Sequence, residues 1–172
     1  MAAIRCFEKT YAEKNANGLR PLRLVSFEWD LDPLTLATKN PGRFPHLRHS
    51  APHRILESGR WEHASNLFQW ELLRGDFSGF IESARIPDLI FYDPFSSKAN
   101  PALWTREIFA RIFKRCLPKS AELYTYSAST AVRVSLLTAG FFVAEGVGTG
   151  PKSATTIAFT RPAGARIHPL SP

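Results

Sequence analysis

The chain has 172 residues, of which 44% are hydrophobic and 12% aromatic, enough apolar material for one domain with a real core, which excludes a disordered polypeptide. Its 22 Lys and Arg outnumber 15 Asp and Glu, giving a formal charge of +7 and a pI near 9.8, a balance that favours a polyanionic partner without naming one. No stretch approaches the ~18 apolar residues of a membrane span, and Arg5, Glu8, Lys9, Glu13 and Lys14 interrupt the opening segment, so neither insertion nor secretion is indicated and a cytoplasmic setting is expected.

In chain order, Ile4, Phe7 and Tyr11, with Cys6 beside them, have helical spacing over residues 2 to 15, ahead of the stop signal Asn15-Ala16-Asn17-Gly18. Leu22 to Phe27 reads as a buried strand ending at Glu28, and Asp32-Pro33 opens a helix running to about Lys39. From Asn40 to Asn66 the periodicity fades while Arg43, His46, Arg48, His49, His53, Arg54, Arg60 and His63 accumulate. A metal site, a phosphate-contacting insertion and a solvated loop compete here. Pro45 and Pro52 within the basic run and the lack of cysteine argue against metal, and the loop is the expectation.

Phe68 to Leu73 is a strand followed by Gly75-Asp76, and Leu89 to Tyr92 a strand followed by Asp93. Pro101 to Cys116 is a helix, Ala121 to Tyr126 a strand, Ser129 to Ala139 a helix, and Phe141 to Val143 a strand after Gly140. A Gly-rich link, VGTGPK, leads to a last strand, Thr155 to Thr160, and the tail from 161 to 172 is expected to be flexible. Strands separated by helices argue for an α/β fold whose sheet is mostly parallel, with an antiparallel hairpin at its C-terminal edge. Cys6 and Cys116 lack any CxxC or Cys/His ligand spacing and are expected to be buried reduced thiols, with no metal site.

Three carboxylates, Glu28, Asp76 and Asp93, each follow a strand. Each alone is explained as a cap or turn residue. A row of them at carboxyl strand ends is also what a nucleoside cofactor needs, since one acid can take the ribose hydroxyls and another an adenine amino group. A dinucleotide oxidoreductase fits less well, because no GxGxxG follows a strand.

The segments SFEWDLDPL (26–34), LLRGD (72–76), DPFSSKANPALWT (93–105), YTYSASTAVRVSLLTAGF (124–141) and VGTGPKS (147–153) together resemble the methyltransferase domain of the tRNA 5-methylaminomethyl-2-thiouridine biosynthesis proteins, of MnmC and MnmD type. The resemblance covers about residues 1 to 160. It implies a Rossmann-like class I fold that passes a methyl group from S-adenosyl-L-methionine (AdoMet) to an aminomethyl group on a modified wobble uridine, with tRNA as partner. Some relatives carry a fused flavin oxidase. By the same resemblance Glu28 would hold the AdoMet ribose, Asp76 would lie at the adenine, and Asp93 would be the catalytic acid of its loop. Phe95, Tyr126 and Ser127 would line the acceptor side, while Trp104 would pack the following helix. Tyr126 and Ser127 are equally explained as a strand terminus and helix cap.

The chain departs from the family loop at Pro94, Ser97, Ala99 and Ala102. The family also opens with a central strand and a Gly-rich loop, whereas no glycine precedes Gly18 here, so an N-terminally incomplete domain over 1–160 is expected, a fragment of a methyltransferase whose activity as it stands the residues leave open. The alternative is a non-catalytic RNA-binding module that uses the basic 43–63 segment on a degenerate methyltransferase scaffold.

Overall fold

The computed structural model describes residues 1–14, 17–148 and 154–162. The chain divides into two compact units, Met1–Gly79 and Phe80–Pro172.

In the first unit, α1 (Ala2–Lys14) buries Ile4 and Phe7 along one stripe. β1 (Leu22–Glu28) follows, then α2 (Asp32–Thr38), whose first turn carries Pro33, where a missing N–H costs nothing. A 3₁₀ turn, Pro45–Arg48, precedes α3 (Ser50–Ser58). His49 caps α3: its Nδ1 accepts from the Ala51 N–H at 3.0 Å, so its Nε2 carries the proton and donates to Glu8 Oε1 at 2.9 Å. Gly59 ends the helix at φ 70°, a left-handed conformation that glycine adopts without steric cost.

β2 (Arg60–Glu62) and β3 (Phe68–Arg74) complete a sheet of order β1-β3-β2. β1 and β3 run parallel from Leu22↔Phe68 to Glu28↔Arg74, and β2 pairs antiparallel to β3. Trp70 Nε1 donates to Ser26 Oγ at 2.9 Å, tying the parallel strands through their side chains. Ile4, Phe7, Ala51 and Phe68 form the centre of the core, with Tyr11, Leu24, Trp61 and Trp70 around it. The short α4 (Phe77–Phe80) lies at the boundary between the units.

The second unit contains β4 (Leu89–Phe91), a 3₁₀ turn at Pro101–Trp104, α5 (Arg106–Cys116), β5 (Glu122–Thr125), α6 (Thr130–Thr138), β6 (Phe142–Val147) and β7 (Ala154–Phe159). Its sheet has the order β4-β5-β7-β6; β4 and β5 are parallel and β7 is antiparallel to both of its neighbours. Helix α5 buries Ile108, Phe109, Ile112 and Cys116, the i, i+1, i+4, i+8 stripe of an amphipathic helix. Gly140 sits at φ 110°, and a Cβ there would lie 2.9 Å from the Phe113 ring, so the turn into β6 requires glycine. Arg133 on α6 clamps the hairpin, donating to Thr156 Oγ1 (3.1 Å), the Thr155 carbonyl (3.1 Å) and Glu145 (3.3 Å).

All six strands read from the sequence are present, and the α/β character holds. The sheets are more mixed than expected: among the described residues two ladders are parallel and three antiparallel, because β2 adds to β3 in reverse and β7 inserts between β5 and β6. The 40–66 segment is not a solvated loop but folds into a 3₁₀ turn, α3 and β2, anchored by the burial of Leu47, Ala51, Pro52 and Ile55. The helix expected over 101–116 breaks at Thr105, whose hydroxyl oxygen caps α5 by accepting from the Ile108 N–H. Cys6 is exposed rather than buried, because Ile4 and Phe7 take the inward stripe of α1; Cys116 is buried, and both are free thiols. Most of the VGTGPK link and the tail beyond residue 162 lie outside the described residues.

Candidate functional site

In the first unit, the parallel pairing of β1 with β3 brings Glu28 and Asp76 to the same, carboxyl end of the sheet. Glu28 is in register with Arg74, and its carbonyl accepts from the Gly75 N–H at 2.9 Å, so Asp76 follows one residue later. Both acids are exposed. Partial desolvation of the Glu28 carboxyl, and secondarily the Asp30 charge, raise its pKa above the ordinary glutamate value. Asp76 accepts from the Ser78 N–H (3.0 Å) with one oxygen and from the Ser78 hydroxyl (2.6 Å) with the other. Beneath them Phe27 and Phe77 meet edge to face at 5.0 Å. The pair fits the adenosyl half of AdoMet by its chemistry, since ribose hydroxyls and an adenine amine are donors that need acceptors.

In the second unit, β4 and β5 are in register at Phe91↔Tyr124, and two residues beyond that rung come Asp93 and Tyr126. The sheet thus gathers Asp93, Phe95, Tyr126 and Ser127 at one carboxyl end. Asp93 is exposed, and its carbonyl accepts from the Phe95 N–H at 2.8 Å, closing a three-residue turn over Pro94. Phe95 is held at φ 59° with 79% of its surface exposed. A left-handed backbone is rare for a bulky non-glycine residue, and strain of this kind concentrates at ligand-binding loops.

The loop rests on a firm base. Tyr92 is buried and donates its hydroxyl to the Leu103 carbonyl, while burial pushes its pKa far up. Trp104 is 6% exposed and packs edge to face against Tyr92 at 5.4 Å, as a structural side chain does. Tyr126 is half exposed. Ser127 is built into the turn before α6: its N–H donates to Thr125 Oγ1, its hydroxyl oxygen accepts from the Ser129 N–H, and its carbonyl accepts from Thr156 Oγ1 at 2.6 Å.

The cations of the 43–63 segment are largely engaged within the fold. Arg48 donates to the Pro41 carbonyl, His49 to Glu8, and Arg54 and Arg60 pair with Glu57 and Glu71; His53 and His63 bond to the Leu47 carbonyl and the Ser65 hydroxyl. Among the described residues no His, Cys, Asp and Glu cluster could hold a metal ion, and no helix is long and apolar enough to cross a membrane.

Two features were not anticipated from the residues alone. One is the strain at Phe95, which has no sequence signature because the left-handed region is not encoded by a glycine there. The other is Trp29, 74% exposed directly after Glu28; an aromatic residue next to a strand-end carboxylate was the signal available.

Residues 43–161 match the model of a family described as S-adenosyl-L-methionine-dependent methyltransferase, a span that includes every candidate residue except Glu28. The chain is 31% identical over 102 residues to an uncharacterized protein of Methanocaldococcus jannaschii, covering 59% of this chain and 28% of that protein. It is 38% identical over 93 residues to the tRNA 5-methylaminomethyl-2-thiouridine biosynthesis bifunctional protein MnmC of Campylobacter hominis, covering 52% of this chain and 14% of the relative. In the crystal structure of MnmC2 from Aquifex aeolicus, 79% of this chain superposes on 53% of the solved chain with a TM-score of 0.52 and 24% identity, a likeness of fold. The chain therefore spans a minor part of these curated relatives and about half of the solved one. The family match extends over more than half of the sequence, and the chain belongs to the S-adenosyl-L-methionine-dependent methyltransferase family.

Proposed function

We propose that residues 1–160 form one methyltransferase-like domain that transfers a methyl group from AdoMet to the exocyclic amine of a modified wobble uridine in tRNA, in the cytoplasm. The observation that carries this reading is the Asp93 loop: an exposed carboxylate beyond a parallel strand, followed by a strained and exposed Phe95. Glu28 accepts from the ribose hydroxyls and Asp76 from the adenine amine; AdoMet supplies an electrophilic methyl sulfonium when bound. A protonated amine has no lone pair with which to attack. Asp93 accepts its hydrogen bond, orients it and takes up its proton, which is general-base work worth about 10²–10⁴-fold. Phe95 and Tyr126 offer aromatic faces to the acceptor base, and the Ser127 hydroxyl retains its hydrogen to donate. The MnmC relatives, whose names place them in tRNA modification, support the acceptor class.

The test is calorimetric titration of AdoMet into the chain, followed by methyl transfer from labelled AdoMet to tRNA lacking this modification. Asp93→Asn is expected to lower transfer about a hundredfold or more while AdoMet binding stays within about twofold. Transfer at the wild-type rate after the substitution removes Asp93 from the mechanism.

A further inference from the structure

The ring of Trp104 is accounted for by packing, since it meets Tyr92 edge to face at 5.4 Å and Phe109 at 6.4 Å. Its indole N–H is not. Among the described residues Nε1 is buried with no hydrogen-bond partner, although a donor in that state carries a desolvation penalty that native structures rarely leave standing. A trapped water needs roughly two to four polar partners, whereas the neighbours are aromatic rings and the Tyr92 hydroxyl is spent on the Leu103 carbonyl. The chain itself is the better source of an acceptor.

The same loop carries a second fault. It leaves the sheet at Tyr92, against which the Trp104 ring rests, and returns through the Pro101–Trp104 turn. Between the two, Phe95 stands at φ 59° with its N–H donating to the Asp93 carbonyl at 2.8 Å. Half a rotation of the Pro94–Phe95 peptide brings Phe95 to a φ of about −120°, the ordinary extended basin, and exchanges the directions of its N–H and the Pro94 carbonyl. One motion relieves the strain and turns inward a carbonyl that accepts no hydrogen bond among the described residues. We infer that Trp104 is a positioning residue: its indole N–H donates to the Pro94 carbonyl when the acceptor amine engages Asp93, and so holds the loop, with its carboxylate, in the geometry for transfer. The inference rests on the reading of Asp93 as the general base and adds the residue that steadies it.

The experiment compares steady-state methyl transfer to tRNA lacking the modification, and thermal melting, for the wild-type chain and Trp104→Phe, which keeps an aromatic ring without the N–H. The indole proton of Trp104, assigned by nitrogen-15 NMR in the wild-type chain so that the reading survives a variant that fails to fold, is followed as the same tRNA and S-adenosylhomocysteine are added. Trp104→Phe should lower kcat about tenfold with KM for tRNA within about twofold, and melt close to the parent, because an unsatisfied donor leaves with the indole. The wild-type indole proton should move downfield and exchange more slowly on addition of tRNA. A kcat at the wild-type level in Trp104→Phe, with or without a lower melting temperature, overturns the inference and leaves Asp93 in its role, as does an indole signal that tRNA does not move. A wild-type chain that transfers no methyl group overturns the reading and the inference together.

Discussion

The two units solve the same geometric problem differently. Each aligns a parallel strand pair so that acids emerge at the carboxyl end, β1 with β3 for Glu28 and Asp76, β4 with β5 for Asp93. In the first unit the Asp76 carboxylate accepts from the Ser78 N–H and hydroxyl, which hold it in a short turn. In the second, Asp93 heads a loop whose next aromatic residue is strained and bare to solvent. A preformed cradle suits a ligand bound in the same way each turnover. A carboxylate on a tensioned loop suits a group that must meet a reacting atom.

Substitutions can break this contrast. The largest effect is expected for Asp93→Asn, a loss of about a hundredfold or more in methyl transfer with unchanged AdoMet affinity, read by labelled-methyl incorporation beside calorimetry. Glu28→Gln should do the reverse at binding, weakening AdoMet about tenfold through lost charge-assisted hydrogen bonds. The pH dependence has a definite sign. Glu28 has a raised folded pKa, so the folded state holds its proton more tightly than the unfolded one, and its ionisation opposes folding as pH rises through that value. Glu28→Gln should therefore melt higher than the parent at pH 7, with the difference closing as pH falls below the ordinary glutamate value. AdoMet affinity of the parent should drop over the same acid range, where the carboxylate loses its acceptor character.

Two smaller effects sharpen the comparison. Phe95→Gly relieves the left-handed strain, of the order of 1 kcal/mol, but adds freedom to the unfolded chain, so thermal stability should stay level or rise slightly while acceptor binding weakens. A clear drop in melting temperature would show that Phe95 packs rather than presents itself. Ser127→Ala should cost a few tenths of a kcal/mol, since its backbone contacts to Thr125 and Thr156 survive.

The sequence revealed the strands well, because runs such as Leu22 to Phe27 and Phe68 to Leu73 are long, apolar and bounded by turn residues. It revealed the strand-end acids for the same reason. Helix α3 escaped because Pro52 and His53 interrupt its pattern and only Ile55 is a large buried aliphatic; its cap is a histidine rather than a serine or aspartate. Thr105 was legible as a cap only after the Pro101 turn was known to be 3₁₀, since an α-helix starting at proline would have run through it. The state of Phe95 depends on the turn over Pro94 and on nothing that its own side chain encodes.

The outer margins of β1 and β4 carry a consequence for handling. Among the described residues β1 pairs with β3 alone and β4 with β5 alone, so in each sheet that strand is an edge. β1 is seven residues long, has no proline, and carries charge only at Arg23 and Glu28, so little guards it against pairing with another molecule. The +7 charge opposes such pairing between copies, and salt screens it over about 10 Å at 0.1 M. Colloidal stability should therefore be best in dilute buffer, with turbidity growing as ionic strength rises, against the usual habit of adding salt to keep a basic protein in solution.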